Sequence, residues 1–270
     1  MLRSSLLVAS LFTTTLAAAD DMSVSAKAPP PPAHLSLTLP QGAVAASVAA
    51  QSNISDGGAS VSLAPDLALG VTDTFTVALV HSTQNATGFW SGASTGSLCV
   101  AGDGCANVYS GGALLAKLAL VERPRLALAA LGGVIATVAP DTRFGLGAGV
   151  EALVDLGRAQ LHFKPTIYIG LDDRDDAMAP NTEFVNAPIS LYVPATRTLR
   201  FGVQTGVAAP VDHLADAYRI PAGVMGQVAL SPAMSAQLAF NLDRVAGGEA
   251  MPAASATDAR SLMLTLGWVK

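Results

Sequence analysis

Between Pro65 and Ser82 the chain reads PDLALGVTDTFTVALVHS, and its large apolar residues fall on alternate positions: Leu67, Leu69 and Val71, then Phe75, Val77 and Leu79. Successive side chains of an extended strand point to opposite faces, so a period of two marks a strand with one apolar face. Val71-Thr72-Asp73, between the two runs, is short enough to close a β-hairpin. Nearly everything after residue 40 repeats this unit. The pattern predicts twelve strands: Gly42–Asn53, Ser60–Gly70, Thr74–Thr83, Ser110–Val121, Arg125–Val138, Arg143–Leu156, Ala159–Leu171, Phe184–Pro194, Thr198–Ala208, Tyr218–Leu230, Ser235–Val245 and Arg260–Val269.

The alternation also sorts side chains by face. In Ala159–Leu171, Leu161, Phe163, Pro165, Ile167 and Ile169 share one side, while His162, Lys164, Thr166, Tyr168 and Gly170 share the other. Leu199, Phe201 and Val203 alternate with Arg200, Gly202 and Gln204; Leu238, Phe240 and Leu242 alternate with Gln237, Asn241 and Asp243. A dry core forbids a polar second face, because a buried polar group without a partner costs a few kcal/mol, but a wet lumen permits it. Connections at Val71–Asp73, Glu122–Pro124, Gly157-Arg158, Ala195–Arg197 and Ser231–Met234 are short; those at Gln84–Tyr109, Asp172–Glu183, Ala209–Ala217 and Ala246–Ala259 are longer. Short turns at one end and long loops at the other predict a closed, antiparallel, up-and-down transmembrane β-barrel, with periplasmic turns, extracellular loops and both termini on the periplasmic side.

Composition agrees. Charged residues make up 13% and hydrophobic ones 51%, with mean hydropathy +0.45, against about 25% charged in a typical soluble domain. So little charge argues against the competing reading, a secreted β-sandwich or lipocalin-like barrel with its apolar face inside. A helix bundle is disfavoured because its best span, Leu126–Ala139, is short, contains Gly132-Gly133 and follows Glu122-Arg123-Pro124-Arg125. Net charge −5 argues against nucleic acid. Met1–Ala19 reads as a secretory signal, with Arg3, an apolar stretch from Leu6 to Leu16 and Ala17-Ala18-Ala19 as the cleavage site. Residues 20–40, with Pro29–Pro32, read as a disordered lead-in that rests in the periplasm or enters the barrel mouth; residues 41–270 are the barrel.

The inward set is predicted to carry Asp66, Lys117, Glu151, Asp155, His162, Lys164, Tyr168, Arg200, Gln204, Gln237, Asn241 and Asp243 among many small residues. Mixed signs argue against a strongly ion-selective pore. If Gly157-Arg158 is a two-residue turn, Glu151 falls directly opposite Lys164, within ion-pairing reach. None of the four histidines, His34, His81, His162 and His213, sits in a recognisable catalytic motif, so no catalytic residue, cofactor or metal ligand is assigned. Asp172–Asp176 is an acidic loop: solvated, or able to hold calcium or bridge cations to lipopolysaccharide. Cys99 and Cys105, an even and closely spaced pair in a polar loop of an oxidising compartment, are expected to form a disulfide.

Pro65-Asp66-Leu67-Ala68-Leu69-Gly70-Val71-Thr72-Asp73, followed by an alternating strand, resembles the hairpin of the outer-membrane family labelled meta-pathway phenol degradation, a transporter-like family, and of related uncharacterised proteobacterial barrels. Leu98-Cys99 and Gly104-Cys105 to Tyr109 are similar to a loop of such barrels, and Leu262–Lys270 resembles the C-terminal signature of outer-membrane proteins, although it runs on past Trp268 to Val269-Lys270. The resemblance implies an outer-membrane location and passage of hydrophobic aromatic compounds. Expected partners are outer-membrane lipid and lipopolysaccharide, the barrel-insertion machinery and a small solute. The expected function is passive passage or binding of small solutes; the alternative is a non-transporting barrel acting in structure or adhesion through its loops.

Overall fold

The computed structural model describes residues 35–55, 58–81, 98–103, 105, 108–138, 142–175, 181–248 and 259–270. The signal and most of the lead-in, with His34, lie outside them, as do much of the 84–109 and 246–259 connections and Asp176. Among the described residues no helix is long and apolar enough to cross a membrane.

Fourteen strand segments make the wall: β1 Val44–Ser55, β2 Gly58–Thr72, β3 Phe75–Val80, β4 Leu98–Ala101, β5 Gly111–Arg123, β6 Leu126–Val138, β7 Thr142–Asp155, β8 Gln160–Phe163, β9 Thr166–Gly170, β10 Phe184–Pro194, β11 Leu199–Pro210, β12 Arg219–Ser231, β13 Met234–Gly247 and β14 Ala259–Val269. Each main strand pairs antiparallel with its neighbours, and β1 pairs both β2 and β14, so the sheet closes on itself. Closure leaves no exposed edge, which a strand in hydrocarbon cannot tolerate. The result is a twelve-stave antiparallel barrel. β8 and β9 count as one stave, because both pair with β7 and β10 around a gap at Lys164-Pro165. Proline brings no N–H to the ladder; the register is the same on both sides of the gap.

β4 is a segment that the alternation did not predict. It pairs with Val61–Leu63 of β2, beyond the reach of the short β3, and so continues the wall on that stave. The first hairpin also differs from expectation. β2 passes through an irregularity between Gly70 and Thr72 and ends by pairing Thr72 with Phe75, so the turn is Asp73-Thr74. At the far end, the connections after β1 and β6 span only residues 56–57 and 139–141, as short as the turns at the other end. The Gly157-Arg158 turn has two residues: Leu156 N donates to Ala159 O at 2.8 Å and Gly157 takes φ 86°, a value glycine adopts without strain.

Polarity runs opposite to that of a soluble domain. Phe201, Val203, Val224, Leu238 and Phe240 are exposed, Phe201 at 54%, while Glu151, His162 and Lys164 are buried at 6%, 4% and 5%. Small residues line the inner wall: Ala127, Ala129 and Ala208 are enclosed. Both chain ends of the barrel meet at the turn end, where Val44 and Lys270 exchange backbone hydrogen bonds.

Candidate functional site

Residues 36–41 run into the barrel at the turn end. Leu39 N donates to Thr76 Oγ1 at 2.8 Å, Thr38 Oγ1 to Asp73 O at 2.8 Å, Gln41 N to Asp73 Oδ1 at 2.9 Å, and Ser36 Oγ to Glu122 Oε1 at 2.7 Å. Thr76 is buried, and its ladder partners are Gly70 and Lys117, so these residues share the inward face. This end of the lead-in enters the mouth. Beside it is a cavity of about 400 Å³ whose lining includes Ala45, Ser47, Asp66, Ala68, Val80 and Ala229.

Half-way up, one carboxylate gathers the charges. Glu151 and Lys164 each stand six residues from the Gly157-Arg158 turn, and Lys117 stands six before the end of β5. The Glu151–Lys164 register is the one the turn dictates, since Ala152 pairs Phe163 and Gly149 pairs Thr166. The expected ion pair between them does not form. Glu151 Oε2 lies 2.7 Å from Lys117 Nζ, and Oε1 lies 2.8 Å from His162 Nε2. Lys117 reaches the carboxylate over β6, where Ala129 leaves its path open. A carboxylate held from two sides by short polar contacts gains nothing comparable from a third cation, and the ammonium of Lys164 is left aside.

A second stripe is neutral. Gln204 Nε2 donates to Asn241 Oδ1 across Gly223, where a Cβ would stand 2.2 Å from that oxygen. Asn241 continues to Ser261 at 3.5 Å, and Gln51 donates to Asn53 at 2.7 Å. Gln237 is buried on the same wall. An apolar patch of Ala49, Ala64, Tyr192, Met225, Ala239 and Met263 shares the side of the barrel that carries the neutral stripe, with Ala239 between Gln237 and Asn241 on β13.

The remaining candidate residues sit nearer the ends. Asp155 accepts from Gly157 N at 2.7 Å and serves the turn. Arg200 lies 4.7 Å over the Tyr192 ring and donates to Gln227 at 2.6 Å and to Gln160 at 3.3 Å. Asp66 accepts from His81 N at 2.7 Å. Towards the long loops, Asp243 pairs with Arg219 at 3.1 Å, and Tyr168 donates to Asn181 at 2.6 Å. In the acidic loop Asp172 accepts from Phe144 N at 2.9 Å and Asp173 pairs with Arg143 at 3.6 Å, so these two carboxylates tie the loop to the start of β7. Cys99 and Cys105 form a disulfide.

The sequence reading missed Tyr192, Arg143, Arg219, Gln51 and Ser62 as inward residues, although each has the parity that its strand assigns to the inside. It weighted charge and passed over neutral and terminal positions. Parity counted along every strand finds all five.

No family model and no curated protein matches this chain. Solved structures do. An outer-membrane channel from Pseudomonas putida F1 superposes with a TM-score of 0.54 at 14% identity, over 90% of this chain and 99% of the other. The NanC porin gives 0.53 at 9% over 83% and 98%, and the KdgM porin, in complex with disordered oligogalacturonate, 0.52 at 7% over 82% and 98%. At these identities the likeness is one of fold: the chain has the architecture of porin-like outer-membrane barrels.

Proposed function

We propose that this protein sits in an outer membrane and lets small solutes pass through its lumen without energy input. The observation that carries the reading is the inverted polarity of a closed wall: exposed Phe201, Val203, Val224 and Leu238 outside, buried Glu151, Lys164, Gln204 and Asn241 inside. The outer face suits lipid tails, and the inner face suits water and a polar solute. Twelve staves lie between barrels that side chains fill and wide porins, so the solute is small. The patch of Tyr192, Met225 and Met263 supports solutes with an apolar body, in keeping with the aromatic compounds implied by the resemblance to the phenol-degradation barrels. The test is conductance of the purified full chain in planar bilayers. Discrete steps are expected; none in bilayers and no solute flux in liposomes would favour a structural barrel.

A further inference from the structure

The mid-lumen holds an ammonium, that of Lys164, which the nearby carboxylates of Glu151 and Asp66 attract without touching it. Both oxygens of Glu151 are engaged, by Lys117 at 2.7 Å and by His162 at 2.8 Å. Among the described residues no ion pair or hydrogen bond reaches Lys164 Nζ, although the side chain is inward and its residue only 5% exposed. An ammonium so enclosed is unfavourable until an anion meets it. His162 Nδ1, on the same stave and face, is buried without a partner, as is Asn53 Nδ2 on β1 across the ring, and the hydroxyl of Ser190, opposite His162 on β10, stands beside Tyr192. Tyr192 on the adjacent β10 offers apolar surface, which Met225 of β12 continues across Gly202 of β11.

We propose that Lys164 is a binding station for the carboxylate of small organic acids with an apolar body, a substrate class that rests on the channel reading above. The carboxylate pairs with Lys164, its second oxygen accepts from a neighbouring donor such as Ser190, and the body lies along the Tyr192 and Met225 side. Lys117 keeps the station open by occupying Glu151, which otherwise is the natural partner of the lysine opposite it. The wall thus balances its charges on average and still presents one local positive site.

Benzoate and its neutral isostere benzamide are the probes, titrated calorimetrically into the detergent-solubilised full chain, with circular dichroism confirming the strand content of each variant. Benzoate is expected to bind at least about tenfold more tightly than benzamide, the size of one charge-assisted contact. Lys164→Gln and Lys164→Met should each remove that difference and leave benzamide unchanged. Glu151→Gln should strengthen benzoate several-fold, because it releases Lys117 as a second cation; a purely structural role for these residues gives no gain. Equal affinity for the two probes, or benzoate binding indifferent to both Lys164 variants, overturns the station. Conductance of the same preparations separates the two readings. A conducting barrel without Lys164-dependent binding retains the channel and loses the station, and a silent barrel with such binding does the reverse.

Discussion

The carbonyl oxygen of Pro40 occupies the space that a side chain at Gly70 would need: a Cβ built on Gly70 stands 2.0 Å from it, and 2.7 Å from the carbonyl oxygen of Leu39. A glycine on the inward face is therefore the berth for the chain entering the mouth. Gly70→Val should expel residues 36–41 and break hydrogen bonds to Thr76 and Asp73, each worth about 0.5–1.5 kcal/mol. The staves pair without that segment, so the barrel should persist. Single-channel conductance should rise, and protease should cut the lead-in faster. Unchanged conductance and cleavage would show that the segment does not narrow the path.

Spin labels at Phe201, Leu238 and Phe240 should be accessible to oxygen and shielded from a polar relaxation agent in lipid, and labels at Gln204 and Gln237 the opposite. On the outer face, Val203→Arg should cost about 2–4 kcal/mol in a bilayer, measured by reversible unfolding in urea. Greater water access at Phe201 than at Gln204 would invert the barrel.

Mass mapping without reductant should find Cys99 joined to Cys105. The disulfide closes a small loop at the tip of the segment that β4 opens, with Cys99 N also bonded to Val108 O at 2.9 Å. Cys99→Ser with Cys105→Ser should cost about 2 kcal/mol locally and leave the twelve staves intact. Faster proteolysis at Gly102-Asp103, with unchanged circular dichroism, is the expected signature. A loss of strand content would mean that the loop braces the wall itself.

In the loop before β10, Glu183 is held below the ordinary carboxylate range by a hydrogen bond from its own backbone amide and then by Arg174, which donates to its Oε1. A depressed pKa means that the ionised form is the one the fold favours. The loop is therefore held above the ordinary glutamate pKa and is released as pH falls through the lowered one. The hydrogen-exchange protection factors of the amides around Arg174 and Glu183, taken relative to the intrinsic rate at each pH, should fall on acidification, and Glu183→Gln should remove that dependence. Protection factors that stay flat with pH would dissociate the pair from loop order.

Most of the wall was legible because a strand repeats every two residues, and a lipid-facing stave cannot afford an error of parity. Phe201–Val207 shows this, with Phe201, Val203 and Val207 exposed on one side and Gly202, Gln204 and Gly206 buried on the other. Hairpin arithmetic also gave the Glu151–Lys164 register. It did not give the partner of Glu151, because counting from a turn reports only adjacent strands. Lys117 reaches from the second strand away, over an alanine, and no local pattern carries that distance. The berth at Gly70 was invisible for a similar reason: residues 36–41 have no period, and what orders them is a gap in a strand thirty residues on. β4 was hidden by its four-residue length.

The join between β1 and β14 unites positions such as Ala45 and Val269, the start and the end of the barrel sequence. Until Ala259–Val269 is present, β1 has no second neighbour, and the row of amides and carbonyls that later meets β14 along eleven residue pairs stands open. Chains caught in that state carry two sticky margins and associate with one another through them. Closing so long a loop is also slow compared with zipping any one hairpin. A truncation that removes the final twelve residues, from Ala259 on, should therefore do more harm than a deletion of equal size in a surface loop: it converts a self-contained cylinder into a sheet that polymerises.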